Sequence, residues 1–419
     1  MGNLFDYVDW RADVPFKTDP FNEADNLLLS ELAYVDYEGI VPGPEEEGTI
    51  SLDEVCDRFW STHTEEEERN RNTFYRMAPF LLQSMRGSAR FSGIRLGRYV
   101  NRVFTDRSSE VASAEDSAAD GQLVPVEPSP ESDSGESVLQ TTETGEQMSA
   151  VTYYLPDGTI YVAYRGTDSS VVGWKEDFYL SFLRETGGQR QAAAYLSGLR
   201  DKGKRKKNPF IRVGGHSKGG NFAVFAAAFC EKAVQDRILE VYTNDGPGFL
   251  ESTTQTEQYQ AVLPRIHSIV PEESVFGMLL HSGYPQKVIE SSEKGIMQHD
   301  ALSWEILRNH FVEAPGRTEM SLFTQETLDK WISGIPVEKR RDFVLALFGM
   351  IEGTGAESFE GLPSSPVARL GEFMRSYVEL GDGRQKILRD TLASLVSTSA
   401  ETLAERMQKQ LRDVFQPAQ

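Results

Sequence analysis

The most constraining stretch of this 419-residue sequence runs from Phe210 to Ala233. An apolar run, Phe210-Ile211-Arg212-Val213, enters the turn Gly215-His216-Ser217-Lys218-Gly219, which opens directly into Asn221-Phe222-Ala223-Val224-Phe225-Ala226. Aromatic and β-branched residues favour a strand, and an Ala-rich run favours a helix. A strand that turns sharply into a helix exposes a Ser at its apex, where the helix N-terminus favours developing negative charge. Gly215 and Gly219 let such a turn pass close to its neighbours. The Gly-x-Ser-x-Gly pattern alone is a weak signal, and a glycine-rich turn with a structural Ser is the plain alternative. The flanking strand and helix make Ser217 the candidate nucleophile.

The surrounding residues repeat that alternation. Val151 to Leu155 and Thr159 to Tyr164 read as strands joined by the turn Pro156-Asp157-Gly158. Gly173 to Leu183, Gln189 to Leu199 and Asn221 to Ala233 read as helices; Ile238 to Thr243, Arg265 to Val270 and Gln286 to Glu290 read as strands. Strands alternating with helices imply βαβ units, hence an α/β fold with a mainly parallel central sheet over residues 151–315. Residues 1–104 are expected to be mostly helical and packed on that core, starting with a helix after Asn22-Glu23-Ala24-Asp25 and including, on weaker patterning, Ile94 to Phe104. Residues 316–419 form a helical extension, with Arg369 to Leu380 and Gln385 to Val414 as a hairpin.

Residues 105–150 differ in kind. They hold eleven acidic residues against a single Arg107 and no aromatic, too little apolar surface to offset chain entropy, and are read as an acidic flexible insertion. The chain as a whole carries 43 basic and 64 acidic residues, a net charge of −21, which argues against nucleic acid as a partner because a phosphate backbone needs a basic face. Lys202 to Lys207 is a basic run whose ordinary role is a solvated loop. Cys56 and Cys230 give no disulfide framework, no secretory signal or membrane-length apolar run is present, and a cytoplasmic location is expected. No metal-ligand spacing and no glycine-rich phosphate fingerprint occur, so neither metal nor cofactor is expected.

An acyl-transfer site also needs donors for the oxyanion. The N–H of Lys218, next after the nucleophile, supplies one. The strand Thr159 to Tyr164 ends in Arg165-Gly166-Thr167-Asp168, which places the N–H of Thr167 as the second, with Asp168 as the alternative. Tyr164 to Asp168, Gly173-Trp174-Lys175-Glu176-Asp177 and Gly215 to Asn221 together resemble the class 3 (fungal-type) lipase pattern. The whole set, with Pro20 to Asp25, Asp245-Gly246-Pro247-Gly248-Phe249 and Gln298-His299-Asp300, is more similar still to a bacterial family of lipase-like α/β-hydrolases. The resemblance covers roughly residues 15–310 without the acidic insertion, and implies the α/β-hydrolase fold and a Ser-His-acid mechanism. Lys218 departs from the class 3 pattern, where an apolar residue is usual, and speaks against a greasy triglyceride site.

The fold that this resemblance implies orders its triad Ser, acid, His. Among six histidines, His63 precedes the core, His216 lies inside the turn pointing away from substrate, His267 sits packed in a strand and His310 in a helix. His299 falls on a loop and matches the family's histidine, which makes it the candidate base, with His281, at a helix end, behind it. For the acid, Asp245 ends the strand after the nucleophile's helix, and Glu273, which corresponds by position to the class 3 acid, ends the next strand; Asp245 is preferred and Glu273 kept. The reading is a serine hydrolase acting on a small-molecule ester or lipid. A thioesterase or acyltransferase with the same parts, or a non-catalytic hydrolase-fold protein binding a partner through its C-terminal helices, are the alternatives.

Overall fold

The computed structural model describes residues 1–71, 73, 75–104, 124–125, 139–140, 146–168, 171–199, 208–354 and 366–415. Its centre is an eight-stranded sheet whose spatial order follows the chain: β1 (Ile50–Ser51), β2 (Arg95–Phe104), β3 (Glu146–Tyr154), β4 (Ile160–Tyr164), β5 (Ile211–His216), β6 (Ile238–Asn244), β7 (Ile266–Pro271) and β8 (Gln286–Ile289). β1 to β4 pair antiparallel, and β4 to β8 are parallel. The sheet is therefore α/β and mostly parallel.

Both faces of the sheet are covered, and a period of two decides which residue goes where. Tyr161 and Ala163 of β4 enter a core with Leu27, Leu28 and Leu32 of the helix Glu23–Leu32. Ile160, Val162 and Tyr164, one step out of phase, enter the opposite core with Phe222, Ala223 and Ala226 of the helix Lys218–Phe229. Each fully buried Val or Phe contributes about 1.5–3 kcal/mol over its exposed state. The helix Glu23–Leu32 starts as its sequence directs: the Asn22 side chain accepts from the Asp25 N–H while the Asp25 carboxylate accepts from the Asn22 N–H.

A third apolar cluster joins Tyr179, which ends the helix Val171–Tyr179, and Phe182 and Leu183 just after it to Phe343, Val344 and Phe348 of the helix Val337–Glu352. The other C-terminal helices are Glu319–Gly334, Pro366–Glu379 and Gly381–Phe415.

Four expectations are corrected. Ile94 to Phe104 is no helix: Arg95–Phe104 is β2, and a register shift between Gly97 and Val100, with Arg98 at φ 56°, breaks the alternation by which a strand is read. Residues 146–150, assigned to the acidic insertion, belong to β3. His310 lies exposed in the short strand His310–Phe311, not in a helix. His267 is on β7 but half-exposed, stacked on Tyr242 rather than packed inside. The basic run at 202–207 and most of 105–145 lie outside the described residues. Cys56 and Cys230 are free and buried. Among the described residues no helix is long and apolar enough to cross a membrane.

Candidate active site

The site assembles at the carboxyl ends of the parallel strands, where loops converge in open α/β sheets. β5 runs through His216, and Ser217 follows at φ 57° and ψ −131°, a conformation costly for any residue with a side chain. Packing enforces the turn: a Cβ on Gly215 would strike the Gly219 carbonyl, and one on Gly219 would strike the Tyr164 carbonyl. The N–H of Ser217 donates to the Asn244 carbonyl (2.9 Å), and the Asn244 side chain donates to the Gly215 carbonyl (3.0 Å). Asn26, on the helix Glu23–Leu32, donates in turn to the Asn244 side chain (2.9 Å). The N-terminal region thus braces the turn from below.

Asp245 follows β6 at φ 51° and is fully buried. One of its oxygens lies 2.6 Å from Nδ1 of His299; the other accepts from the Ser274 hydroxyl and from the Gly277 N–H (3.1 Å). Burial alone would raise its pKa, but the His299 hydrogen bond and charge, with the Ser274 hydroxyl, hold it below the ordinary carboxylate value. His299 ends the short helical turn Gly295–His299 and keeps one fifth of its side-chain surface accessible. Its ring lies between Phe276 (centroids 4.2 Å) and His216 (4.7 Å). Glu273, the other acid considered, turns away: it accepts from the Gly295 N–H at the start of that same turn. His281 exchanges backbone hydrogen bonds with Phe249 and lines a neighbouring cavity; it is not at a helix end.

Ser217, His299, Thr167 and Lys218 all line one cavity of about 440 Å³. Much of its wall is apolar, with Phe178, Leu279, Leu280, Trp331, Ile332 and Phe343 among the lining residues. The expectation that Lys218 works against a greasy site is therefore not met, for a structural reason. Its ammonium is turned inward and fully buried, 3.2 Å from the Gly173 carbonyl, 3.3 Å from Glu176 and 3.5 Å from Gln147. Glu176 in turn accepts from the N–H groups of Gln147 (3.2 Å) and Gly188 (2.8 Å). Asp177, 4.0 Å from the same ammonium, accepts from the Thr167 hydroxyl; burial pushes its carboxyl up to about 6 against the pull of Lys218 and Thr167. Asp168 pairs with Arg165 (3.1 Å). Glu176 and Asp177 stood in the sequence pattern without a role; a Lys inside the turn was the signal that buried carboxylates must lie near it.

The Ser217 hydroxyl makes no hydrogen bond among the described residues. His216, expected to point away from substrate, packs behind His299: its Nε2 lies 2.9 Å from the His299 carbonyl, and burial pushes its pKa down to about 3.

A mostly parallel α/β sheet carrying a strained serine and a buried aspartate at its strand ends, with a histidine on a following loop turn, defines the class. The chain belongs to the Mbeg1-like family, a lipase-like family, whose model matches residues 137–349, just over half of its length. Comparison with curated proteins finds no match, and comparison with solved structures finds none either. The matched span contains Ser217, Asp245 and His299, runs through the helix Glu319–Gly334 and ends within Val337–Glu352, whereas Glu31 and Tyr75 of the cavity wall lie outside it.

Proposed function

We propose that the chain is a serine hydrolase of the α/β-hydrolase fold that cleaves carboxylic esters. The observation that carries this reading is the His299–Asp245 hydrogen bond of 2.6 Å beside a strained Ser217, both His299 and Ser217 lining one largely apolar cavity. In this reading Ser217 attacks the ester carbonyl while Nε2 of His299 takes the hydroxyl proton. Ionised Asp245 accepts the Nδ1–H and keeps the ring in the required tautomer. The N–H groups of Thr167 and Lys218 hold the oxyanion, and His299 returns its proton to the departing alcohol. Water, activated by the same histidine, then releases the acid. The nucleophile–base contact closes in the substrate complex, as is common for sites that are loose when empty.

The same reading divides the chain into a hydrolase core with an N-terminal helical region braced beneath it, an acidic insertion and a C-terminal helical extension over the cavity. Support for the last comes from Leu328, Trp331 and Phe343, which line the cavity from the helices Glu319–Gly334 and Val337–Glu352. A p-nitrophenyl ester series from short to long acyl chains tests the function. Wild-type turnover that is abolished in Ser217→Ala is expected; equal turnover by both proteins contradicts it.

A further inference from the structure

The apolar cavity has one acidic end that the proposed chemistry leaves unused. Glu31, on the helix Glu23–Leu32, lines the cavity with only 5% of its surface exposed, and its Oε1 accepts no hydrogen bond among the described residues. That oxygen faces Nδ1 of His216 at 3.3 Å, and this nitrogen is also without a hydrogen-bond partner. The tautomer explains why. Nε2 of His216 lies 2.9 Å from the His299 carbonyl, which only accepts, so Nε2 carries the proton. In the neutral imidazole Nδ1 is then a lone pair: an ionised Glu31 would meet it acceptor to acceptor, whereas the protonated carboxyl that burial and Asp300 favour can donate to it. The charge whose field reaches Glu31 is Asp300, another carboxylate, exposed at the cavity rim. Ionising so buried a carboxyl against a lone pair is costly unless a donor, best a cationic one, reaches both groups from the cavity.

The proposed chemistry says which part of a substrate arrives there. A departing alcohol leaves toward the imidazole that protonates it, so groups bordering His299 face the alcohol and not the acyl chain. Glu31 reaches His299 through the adjoining ring of His216, and Asp300 is the chain neighbour of His299. Resting on the hydrolase reading, we infer that Glu31 is a specificity residue for the alcohol moiety, and that the preferred substrates are acyl esters whose alcohol carries a protonated amine. Its N–H groups satisfy the Glu31 carboxylate and Nδ1 of His216 together. Burial and Asp300 push the free Glu31 carboxyl well above its ordinary range, and an ammonium held against it returns it to the ionised form.

The test uses three hexanoate esters on the full chain: 4-piperidinyl, which is cationic; cyclohexyl, its apolar isostere; and monoglyceryl, a neutral polyol. Wild type is expected to favour the piperidinyl ester in kcat/KM by at least about tenfold, the scale of one hydrogen bond to a charged group. In Glu31→Gln, checked for folding by thermal melting, that ratio falls to about one. A wild type that treats the three alike, or prefers the glyceryl ester, overturns the inference, as does a Glu31→Gln variant that keeps the preference. Calorimetric binding of the piperidinyl and cyclohexyl esters to Ser217→Ala separates the two readings. Equal affinities overturn the ammonium site whatever the turnover. Tighter piperidinyl binding in a protein whose wild type cleaves no ester upholds the site and removes the hydrolase.

Discussion

Asp245 and Glu273 both end strands and both carry a carboxylate, so their residue types alone left the choice between them open. Geometry separates them through the backbone: at φ 51° Asp245 aims one oxygen at Nδ1 of His299, whereas Glu273 is engaged by the Gly295 N–H. Asp245→Asn is expected to lower kcat by about 10⁴, because an amide no longer fixes the tautomer, while Glu273→Gln stays within about tenfold. Steady-state kinetics of the two variants checks this. His216 gives a pH prediction of its own. Its folded pKa of about 3 lies below the unfolded value of about 6.5, so the unfolded chain binds a proton between those values that the folded chain refuses. Its contribution is present above about pH 6.5 and is lost as pH falls, by about 1.4 kcal/mol per unit. Urea titrations at pH 7 and 5.5 should show wild type losing more stability than His216→Gln, which does not titrate.

At the scale of elements, the turn at Ser217 was legible because three signals agreed: β-branched residues before it, small residues within it and an Ala-rich run after it. β2 was not, since its bulge interrupts the alternation and its arginines read as a helix surface. The partners of Lys218 were hidden for another reason: Gln147 and Glu176 come from β3 and the helix Val171–Tyr179, and only tertiary structure brings them together. Lys218 ties those elements to the helix Lys218–Phe229 by a buried charge. Lys218→Met leaves Glu176 without its cation and is expected to destabilise the fold by about 3 kcal/mol, read by urea denaturation.

Over the whole molecule, the sheet and its two covered faces followed from alternating strands and helices, but the roof of the cavity did not. Arg369 to Leu380 and Gln385 to Val414 read as a hairpin of undecided place, whereas the roof comes from Glu319–Gly334 and Val337–Glu352, the latter held by the packing of Phe343 and Val344 against Tyr179, Phe182 and Leu183. Phe343 joins that cluster to the cavity wall and to Trp331 (6.1 Å, edge to face). Phe343→Ala is expected to cost about 3 kcal/mol in thermal or urea unfolding and to move the acyl-chain optimum to longer esters. Activation of Ser217 as a nucleophile is read by intact-mass and peptide-mapping analysis after exposure to a fluorophosphonate. One adduct per wild-type chain is expected, on Ser217, and none on Ser217→Ala or, at matched times, on His299→Ala. Equal labelling of wild type and Ser217→Ala, or an unlabelled wild type, contradicts it.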